Sequence, residues 1–210
     1  MIKIENVDVY GWEAAIRGAR NPMNSWDKSD SDCDWVPEYP PKIGPNDRRL
    51  LTSLANAGPD HGKFLRMITV SLDITAPLYW WKEFDTYKVG TVANSCSTMH
   101  KIHDKEFTLE DFSHEHLAAS AQKCLEETIF VLNHYRKNFE ISNGAKIFWW
   151  QLIQLLPSSY NQRRTVLLNY QVLKTMYHAR KHHKLDEWRD FCEWIHALPY
   201  SELITGGSGE

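Results

Sequence analysis

The sequence lacks several features that assign a chain at once to a functional class. It contains no apolar run long enough to span a membrane and no N-terminal signal segment, which predicts a cytoplasmic protein without a membrane partner. Its four cysteines are widely spaced and include no C-x-x-C pair, a pattern that favours free thiols in a reducing compartment. The net charge is only -3, so we expect no positive surface for general nucleic-acid binding.

The composition is that of a globular protein rich in large aromatic residues. The chain has 210 residues, of which 42% are hydrophobic and 24% are charged. This length and composition predict a single domain over residues 1–205. Nine tryptophans favour a deep core or an extensive subunit interface. The last five residues, GGSGE, are typical of a flexible linker or a cloning remnant.

The first quarter of the chain predicts a strand over Met1–Tyr10 and helices over Trp12–Arg20 and Asp47–Ala57, the second ended by Gly58-Pro59. Residues 21–48 form a long acidic, proline-rich connection, and connections of this length are usually functional or mobile. Calcium is one interpretation of its acidic residues. The spacing lacks the glycine and terminal glutamate of an EF-hand loop, so we favour a solvated acidic loop. The acidic residues concerned are Asp27, Asp30, Asp32, Asp34 and Glu38.

The segment 64–101 organises the rest of the chain. Apolar and polar residues alternate from Ile68 to Thr75, which predicts a strand with one buried face. Pro77 is predicted at the first position of an aromatic helix that ends near Phe84, with Thr75 as its N-cap. The segment 86–98 is polar and rich in hydroxyl groups. We therefore interpret it as a ligand-facing loop on a rigid scaffold.

The second half of the sequence is predicted to be helical. The apolar residues of the first helix share one face, and the second is apolar all round, which predicts burial within the subunit or between subunits. The predicted helices cover His114–Lys137, Lys146–Leu156, Asn161–His182 and Leu185–Leu198, with Ser142-Asn143-Gly144 as a break.

The strand, Ala-Pro, aromatic helix and polar loop containing Asn94-Ser95-Cys96-Ser97 resemble the core of the flavin-dependent thymidylate synthases. The family signature there is Arg-His-Arg-x-x-Ser-x-Asn-Glu-x-Ser-x-Arg. Asn94 and Ser97 match it, whereas Ser95 replaces the glutamate and Met99 the last arginine. The segment 87–89 takes the place of Arg-His-Arg, so Lys88 is a cation where the family keeps nucleotide-binding arginines. The family's flavin-contacting histidine aligns with Met67.

A second segment, from Leu156-Pro157 to Trp188, is similar to the closing segment of the same family. Asn169 and Arg180 keep the family's Asn-to-Arg spacing, and Gln171 replaces an arginine. Together the two segments cover about half of the chain in the family's order. The resemblance implies an α/β fold in which a sheet packs with several long helices, a homotetramer, and nucleotide pockets between subunits.

The resemblance implies a nucleotide-binding set. We expect Gly90 to let the backbone approach a ligand, Asn94 and Ser97 to hydrogen-bond a base or ribose, and Lys88 and Arg180 to bind phosphate. Arg163 and Arg164 are predicted on a helix face, and surface charge and phosphate binding are about equally favoured for them. The full set is Lys88, Gly90, Asn94, Ser97, Arg163, Arg164, Asn169, Gln171 and Arg180.

Two other kinds of site are less favoured by the sequence. Histidines and a cysteine recur at helical spacing in His178, His182, His183, Cys192 and His196. We interpret them as parts of solvated helix ends rather than metal ligands, since spacing alone proves little. Cys96 and Ser97 have no histidine or acid in the sequence pattern to activate them as nucleophiles. Hydrogen-bonding roles are therefore preferred for both.

The family combines dUMP, methylenetetrahydrofolate, NADPH and a bound FAD. Loss of several motif cations weakens phosphate binding by roughly a thousandfold, at about 1.5–3 kcal/mol for each charged contact. We therefore expect a diverged relative that binds or sequesters a nucleotide or nucleotide-derived ligand and has no cofactor. The alternative is an active FAD-dependent methylation of dUMP or a related pyrimidine nucleotide. A third interpretation, a structural assembly module, leaves the polar loop unexplained.

Overall fold

The computed structural model of the chain describes residues 2–32 and 41–207. Four strands form one antiparallel sheet with the order β1-β2-β4-β3. They are β1 (Lys3–Tyr10), β2 (Thr69–Pro77), β3 (Val92–Ser95) and β4 (Asn161–Asn169). The helices are α1 (Trp12–Arg20), α2 (Pro45–Asn56), α3 (Leu78–Phe84), α4 (Ala119–Ile141), α5 (Lys146–Leu155), α6 (Tyr170–Arg180), α7 (Asp186–His196) and α8 (Glu202–Thr205). No helix in the described part of the chain is long and apolar enough to cross a membrane.

Strand β2 confirms the alternation in the sequence, since Val70, Leu72 and Ile74 are buried and the residues between them are half-exposed. The start of the following helix was predicted incorrectly. Pro77 is the last strand residue and the N-cap of α3, with φ -67° and ψ 151°. An extended ψ at this position excludes Pro77 from the first helical turn, and Thr75 lies within the strand.

Strand β4 overturns the prediction of one helix over Asn161–His182. The helix begins only at Tyr170, and Arg163 and Arg164 lie on the strand. Val166 and Tyr170, spaced four apart, fit a helical period, but Gln162, Val166 and Leu168 are buried with the period of a strand. The decisive factor is non-local, because β4 lies between β2 and β3 and pairs with both.

Contacts divide the chain into two compact units. Of the described residues, the first unit contains those of Met1–Lys3, Ile74–Thr86 and Asn94–Arg164. Its core cluster joins the α4–α5 pair to the segment before α4. Phe107, Phe112, Leu132 and Leu152 are buried in that cluster.

The α4–α5 pair differs from the predictions in two respects. Helix α4 begins at Ala119, so Leu117 lies outside it and is 40% exposed. Of the α5 residues, only Leu152 is buried within the chain, whereas Ile147 is 66% exposed. A single subunit therefore does not bury α5 on all sides, and part of its apolar surface stays exposed. The predicted break between the helices is confirmed, since Asn143 and Gly144 have φ of 54° and 89°.

The second unit comprises, within the described residues, those of Ile4–Asp73, Tyr87–Ala93 and Thr165–Glu210. Helix α6 packs against α7 and α8. Trp12, Tyr170 and Tyr200 form edge-to-face ring contacts, with centroids 5.3 Å apart for Trp12 and Tyr170. The last predicted helix, Leu185–Leu198, is seen as α7.

The predicted acidic loop is organised around a buried ion pair in this unit. Asp47, on α2, accepts a 2.6 Å hydrogen bond from Arg20 Nε, and both side chains are almost completely buried. Asp47 also accepts bonds from the hydroxyls of Ser29 and Ser31. Asp30 caps α2 by accepting from the backbone N–H groups of Asn46 and Asp47. Helix α2 begins at Pro45, within the predicted connection 21–48, and Asp34 and Glu38 lie outside the described residues.

Candidate functional site

The segment from Tyr87 to Gly90 lies beside α6. Gly90 has φ +81°, and a side chain there would place its Cβ 3.1 Å from Asn169 Nδ2 and 3.1 Å from Val172 Cγ2. Only glycine combines this backbone conformation with so close an approach. Asn169 is the N-cap of α6, because its Oδ1 accepts a 3.0 Å hydrogen bond from the Val172 N–H. Gly90 and Asn169 therefore meet through packing within one chain.

Arg180 is held by aromatic neighbours at the other end of α6. Its Nε donates a 2.9 Å hydrogen bond to the Tyr87 hydroxyl. Its guanidinium carbon lies 4.9 Å from the Trp188 ring centroid and 5.6 Å from the Tyr87 centroid. These distances are those of cation–π contacts. The contacts give Arg180 a packing role whether or not it also meets a ligand.

Lys88 lies in the sequence between Tyr87, which contacts Arg180, and Gly90, which packs against Asn169, and it is exposed. It forms no ion pair with any residue of the described ranges. Its charge is thus available for an anion at the loop side of α6.

The cavity beside α6 has a volume of about 530 Å³. It lies between the C-terminal end of α2 and one face of α6, and its polar lining side chains are Asn56, Gln171, Lys174, Thr175 and His178. Lys174 Nζ donates a 2.7 Å hydrogen bond to the Ala55 carbonyl oxygen. Ligand pockets typically span about 300–1,000 Å³, so this volume suits a small molecule.

The two basic groups of the cavity are both less basic than usual. Burial lowers the pKa of Lys174. Burial also lowers the pKa of His178, and the nearby charges of Lys181 and Lys174 lower it further. His178 is therefore a neutral hydrogen-bonding group at pH 7, and Lys174 is the main positive charge in the cavity.

Helix α6 separates the predicted ligand residues into two groups. Arg180 lies nine positions after Gln171, which at about 100° per residue places the two side chains on opposite sides of the helix, roughly 180° apart. Gln171 lines the cavity, whereas Arg180, with Tyr87, lies on the loop side. The structure therefore does not bring these two predicted residues together within one chain.

The remaining predicted residues lie in the first unit, near β3 and β4. Arg164 forms an ion pair with Asp85 at 2.7 Å, stacks over Trp81 at 4.2 Å, and donates from Nε to Gln162. Its side chain is only 15% exposed, so these contacts leave little of the guanidinium group accessible to a ligand. Arg163, one residue earlier on the strand, is exposed and points to the opposite face of the sheet.

The polar loop is partly regular. Asn94 lies on β3, whose four residues are all exposed. The Ser97 hydroxyl accepts hydrogen bonds from the backbone N–H groups of Met99 and His100, at 3.2 and 3.0 Å. Ser97 therefore caps a turn, a hydrogen-bonding role in keeping with its residue type.

The histidines and the cysteine that were considered as metal ligands do not form a metal-binding cluster in the described residues. Within residues 2–32 and 41–207, no group of three or more histidine, cysteine, aspartate or glutamate side chains is placed to hold a metal ion. Cys192 is buried, and burial raises the pKa of its thiol to about 11.

Comparison with known proteins identifies the fold. No protein-family profile and no curated protein sequence matches the chain, but solved structures do. Thymidylate synthase X from Helicobacter pylori, solved with FAD and dUMP, matches with a TM-score of 0.70 and 15% identity, over 98% of this chain and 97% of that one. The chain has the fold of the flavin-dependent thymidylate synthases. The resemblance predicted from the sequence is thereby confirmed at the level of the fold.

A second neighbour with the thymidylate synthase fold is a methylase. The UMP/dUMP methylase PolB from Streptomyces cacaoi, bound with 5-Br dUMP, matches with a TM-score of 0.68 and 16% identity, over 98% of this chain and 95% of that one. The same enzyme bound with 5-Br UMP matches with a TM-score of 0.64.

FAD, which the fold implies, does not fit the cavity beside α6 in one chain. A pyrophosphate needs several positive or N–H donors. Among the described lining residues, only Lys174 and His178 carry basic groups, and burial lowers the pKa of both. One half-buried amine, already bonded to the Ala55 carbonyl, does not match two linked phosphates.

Sequence reasoning missed Lys174, Thr175 and His178 as cavity residues. With Gln171 they form an i, i+3, i+4, i+7 stripe on α6, which is the ordinary pattern of an exposed helix face. This stripe differs from an ordinary exposed helix face because the end of α2 lies opposite it and forms the other wall of the cavity. That neighbour is more than a hundred residues away in the chain and leaves no local signal.

Proposed function

We propose that the chain binds a nucleoside monophosphate in the cavity beside α6, in the manner of a nucleotide-binding or nucleotide-sequestering protein, without the synthase reaction. The cavity itself is the observation that carries the proposal. Neighbours with the same fold are solved with dUMP, 5-Br dUMP or 5-Br UMP. These ligands indicate the chemical class that the fold accommodates.

The polar groups of the cavity suit one phosphate and one base. Gln171 offers both amide donors and an acceptor, which can pair with the edge of a pyrimidine. Lys174 supplies a single positive charge, and His178 and Thr175 supply neutral hydrogen bonds. A monophosphate therefore matches the charge of the site better than a di- or triphosphate does.

Nucleotide binding is tested by titrating the purified chain with UMP, dUMP and TMP and their triphosphates in a calorimeter. We expect the monophosphates to bind more tightly than the triphosphates. Lys174→Met should weaken binding about tenfold or more, since a hydrogen bond to a charged group contributes about 1.5–3 kcal/mol. Gln171→Leu should weaken it about two- to tenfold, since a neutral hydrogen bond contributes about 0.5–1.5 kcal/mol. Lys184→Met, an exposed lysine outside the cavity lining, is the matched control and should bind like the parent.

Lys88→Ala distinguishes the cavity from the loop side of α6, where the sequence resemblance places the phosphate. If Lys88→Ala weakens binding and Lys174→Met does not, the ligand lies on the loop side with Gly90, Asn169 and Arg180. If none of the nucleotides binds to the parent chain, the proposed function is wrong.

The second candidate is active FAD-dependent methylation of dUMP or a related pyrimidine nucleotide. It is favoured by one neighbour, which is solved with FAD and dUMP, and by the other, which is a UMP/dUMP methylase. Because Lys174 is the main positive charge among the described lining residues and a pyrophosphate needs more, we expect the purified protein to be colourless. It should also show no dUMP-dependent oxidation of NADPH. A flavin absorption spectrum together with methylation of dUMP or UMP would establish the second candidate instead.

We also propose that the protein is a homotetramer. The support is the apolar surface that one chain leaves exposed on the α4–α5 pair: Phe130 is 75% exposed, Ile141 is 73% exposed and Ile147 is 66% exposed. Large exposed apolar patches mark interaction surfaces. In an assembly, Asn94, Ser97 and Arg163 of one subunit would contact the ligand bound to another. They would supply the additional contacts that the sequence resemblance implies.

A cytoplasmic location is part of the same proposal. Cys96, Cys124 and Cys192 are free thiols, as a reducing compartment favours.

A further inference from the structure

A second cavity, of about 650 Å³, lies in the first unit between the turn after Ser97 and the hairpin that joins α4 and α5. Its side-chain walls are Met99, His100, His103, Phe139, Lys146 and Trp149. None of these residues belongs to the cavity beside α6. The volume is within the range of small-molecule pockets.

The aromatic walls of this cavity are fixed by their own contacts. Trp149 Nε1 donates a 2.9 Å hydrogen bond to the Met99 carbonyl oxygen, which holds the indole against the turn. The Phe139 ring lies 4.6 Å from the His103 ring, centroid to centroid. Rings held in this way present flat apolar surfaces at little entropic cost, and such surfaces stack with planar aromatic groups.

The polar groups of the cavity are all basic. His100, His103 and Lys146 line it, and none of the described lining residues has a carboxylate. Lys146 forms no ion pair within the described ranges, and its Nζ lies 5.7 Å from the Trp150 ring centroid. Lys146 is also the first residue of α5, where unpaired backbone N–H groups and the helix dipole favour negative charge.

One acid lies close to this cavity. Asp104 Oδ1 is 3.5 Å from His103 Nε2. The other carboxylate oxygen of Asp104 is 2.9 Å from Lys101 Nζ, so a second cation offsets its charge. The cavity therefore keeps a positive character on the side of Lys146.

We propose that this cavity binds a planar aromatic molecule bearing one anionic group, with its ring against Trp149 and Phe139 and its anion beside Lys146. The proposal does not depend on the nucleotide site beside α6, because it rests on different residues in a different unit. It also gives a role to Met99, which stands where the resembling family has an arginine. A thioether suits an aromatic wall and does not suit a phosphate contact.

The test compares 2-naphthoate with its neutral analogue 2-naphthamide, by calorimetry on the full chain. We expect naphthoate to bind and naphthamide to bind at least tenfold more weakly. Trp149→Leu should lower naphthoate affinity at least tenfold, as loss of a stacking ring does. Trp26→Leu, at an exposed tryptophan of the second unit that does not line the cavity, is the matched control and should change affinity less than twofold.

Charge recognition is tested with Lys146→Gln, which should remove the preference for naphthoate over naphthamide. Lys137→Gln, an exposed lysine on α4 outside the cavity lining, should keep that preference. UMP affinity should be unchanged in Lys146→Gln, so failure at this cavity is distinguishable from failure of the proposed nucleotide site.

Equal binding of the two probes by the parent chain would overturn the proposal. So would equal naphthoate affinity in Trp149→Leu and Trp26→Leu. If Trp149→Leu does not fold, as judged by its melting curve, Phe139→Leu takes its place with the same expected loss.

Discussion

Asp47→Ala is expected to lower the free energy of unfolding by about 3–5 kcal/mol, the usual effect of removing one partner of a buried ion pair. Arg20 would be left buried with no carboxylate, since its Nε bonds to Asp47 at 2.6 Å. The hydroxyls of Ser29 and Ser31 would also lose their common acceptor. Urea unfolding of both proteins, followed by circular dichroism, measures the difference.

The control is Asp27→Ala, an exposed acid in the same connection. Surface substitutions of this kind usually change stability by less than about 0.5 kcal/mol. A loss below about 1 kcal/mol for Asp47→Ala would show that the ion pair does not organise the connection between α1 and α2.

The effect of Asp47 should depend on pH in a defined direction. Burial raises the pKa of its carboxyl, but hydrogen bonds from Ser31, Ser29, Arg20 and the Asp30 amide outweigh burial and hold the pKa below its ordinary value of 3.8. A lowered folded-state pKa stabilises the protein above the unfolded-state value, and this stability is lost as the pH falls through the folded-state pKa. The difference between parent and Asp47→Ala should therefore be full near neutral pH and shrink in acid.

The double variant Phe130→Glu/Ile147→Glu is expected to convert a tetramer into monomers. Both side chains are largely exposed in one chain, on α4 and α5 respectively, and burying unpaired carboxylates at a subunit contact costs several kcal/mol for each charge. Folding of the monomer should be spared because neither side chain belongs to the core of its unit. Sedimentation velocity at micromolar concentration measures the change in mass.

The matched control for assembly is Met23→Glu, which introduces the same kind of charge at a residue that is 82% exposed in the second unit. This variant should sediment like the parent chain. A parent chain that is itself a monomer at micromolar concentration would contradict the tetramer, and with it ligand contacts from partner subunits.

Some elements could be predicted because their signals are local. The alternation around Val70 and Leu72 indicates β2, since successive side chains of a strand face opposite sides. Asn143 and Gly144 mark the break between α4 and α5 because both adopt positive φ, which glycine and asparagine tolerate best. The order of the two resembling segments was sufficient to predict the shared fold, although only Asn94 and Ser97 match the first signature.

The candidate site was predicted less well, because its geometry depends on the start and phase of one helix. Placing Asn161–Asn169 in a helix put Arg163 and Arg164 on the wrong kind of element. Arg164 instead lies against Trp81 and Asp85, which are about eighty residues earlier in the chain. The cavity residues Lys174 and His178 form a polar stripe that gives no signal until the end of α2 is placed opposite them.

The sequence by itself determined the alternating strand, most of the helices and the relationship to the thymidylate synthase fold. Periodicity depends on residues that are close in the sequence, and the order of motifs can be read along the chain. Only the tertiary structure decided that 161–169 is a strand, that Asp47 is a buried partner of Arg20, and that the end of α2 lies opposite Gln171 and Lys174. Each of these depends on which distant backbone or charge becomes a neighbour. Strand pairing, desolvation of charge and closure of a cavity are non-local, so their energies are set only when the chain has folded.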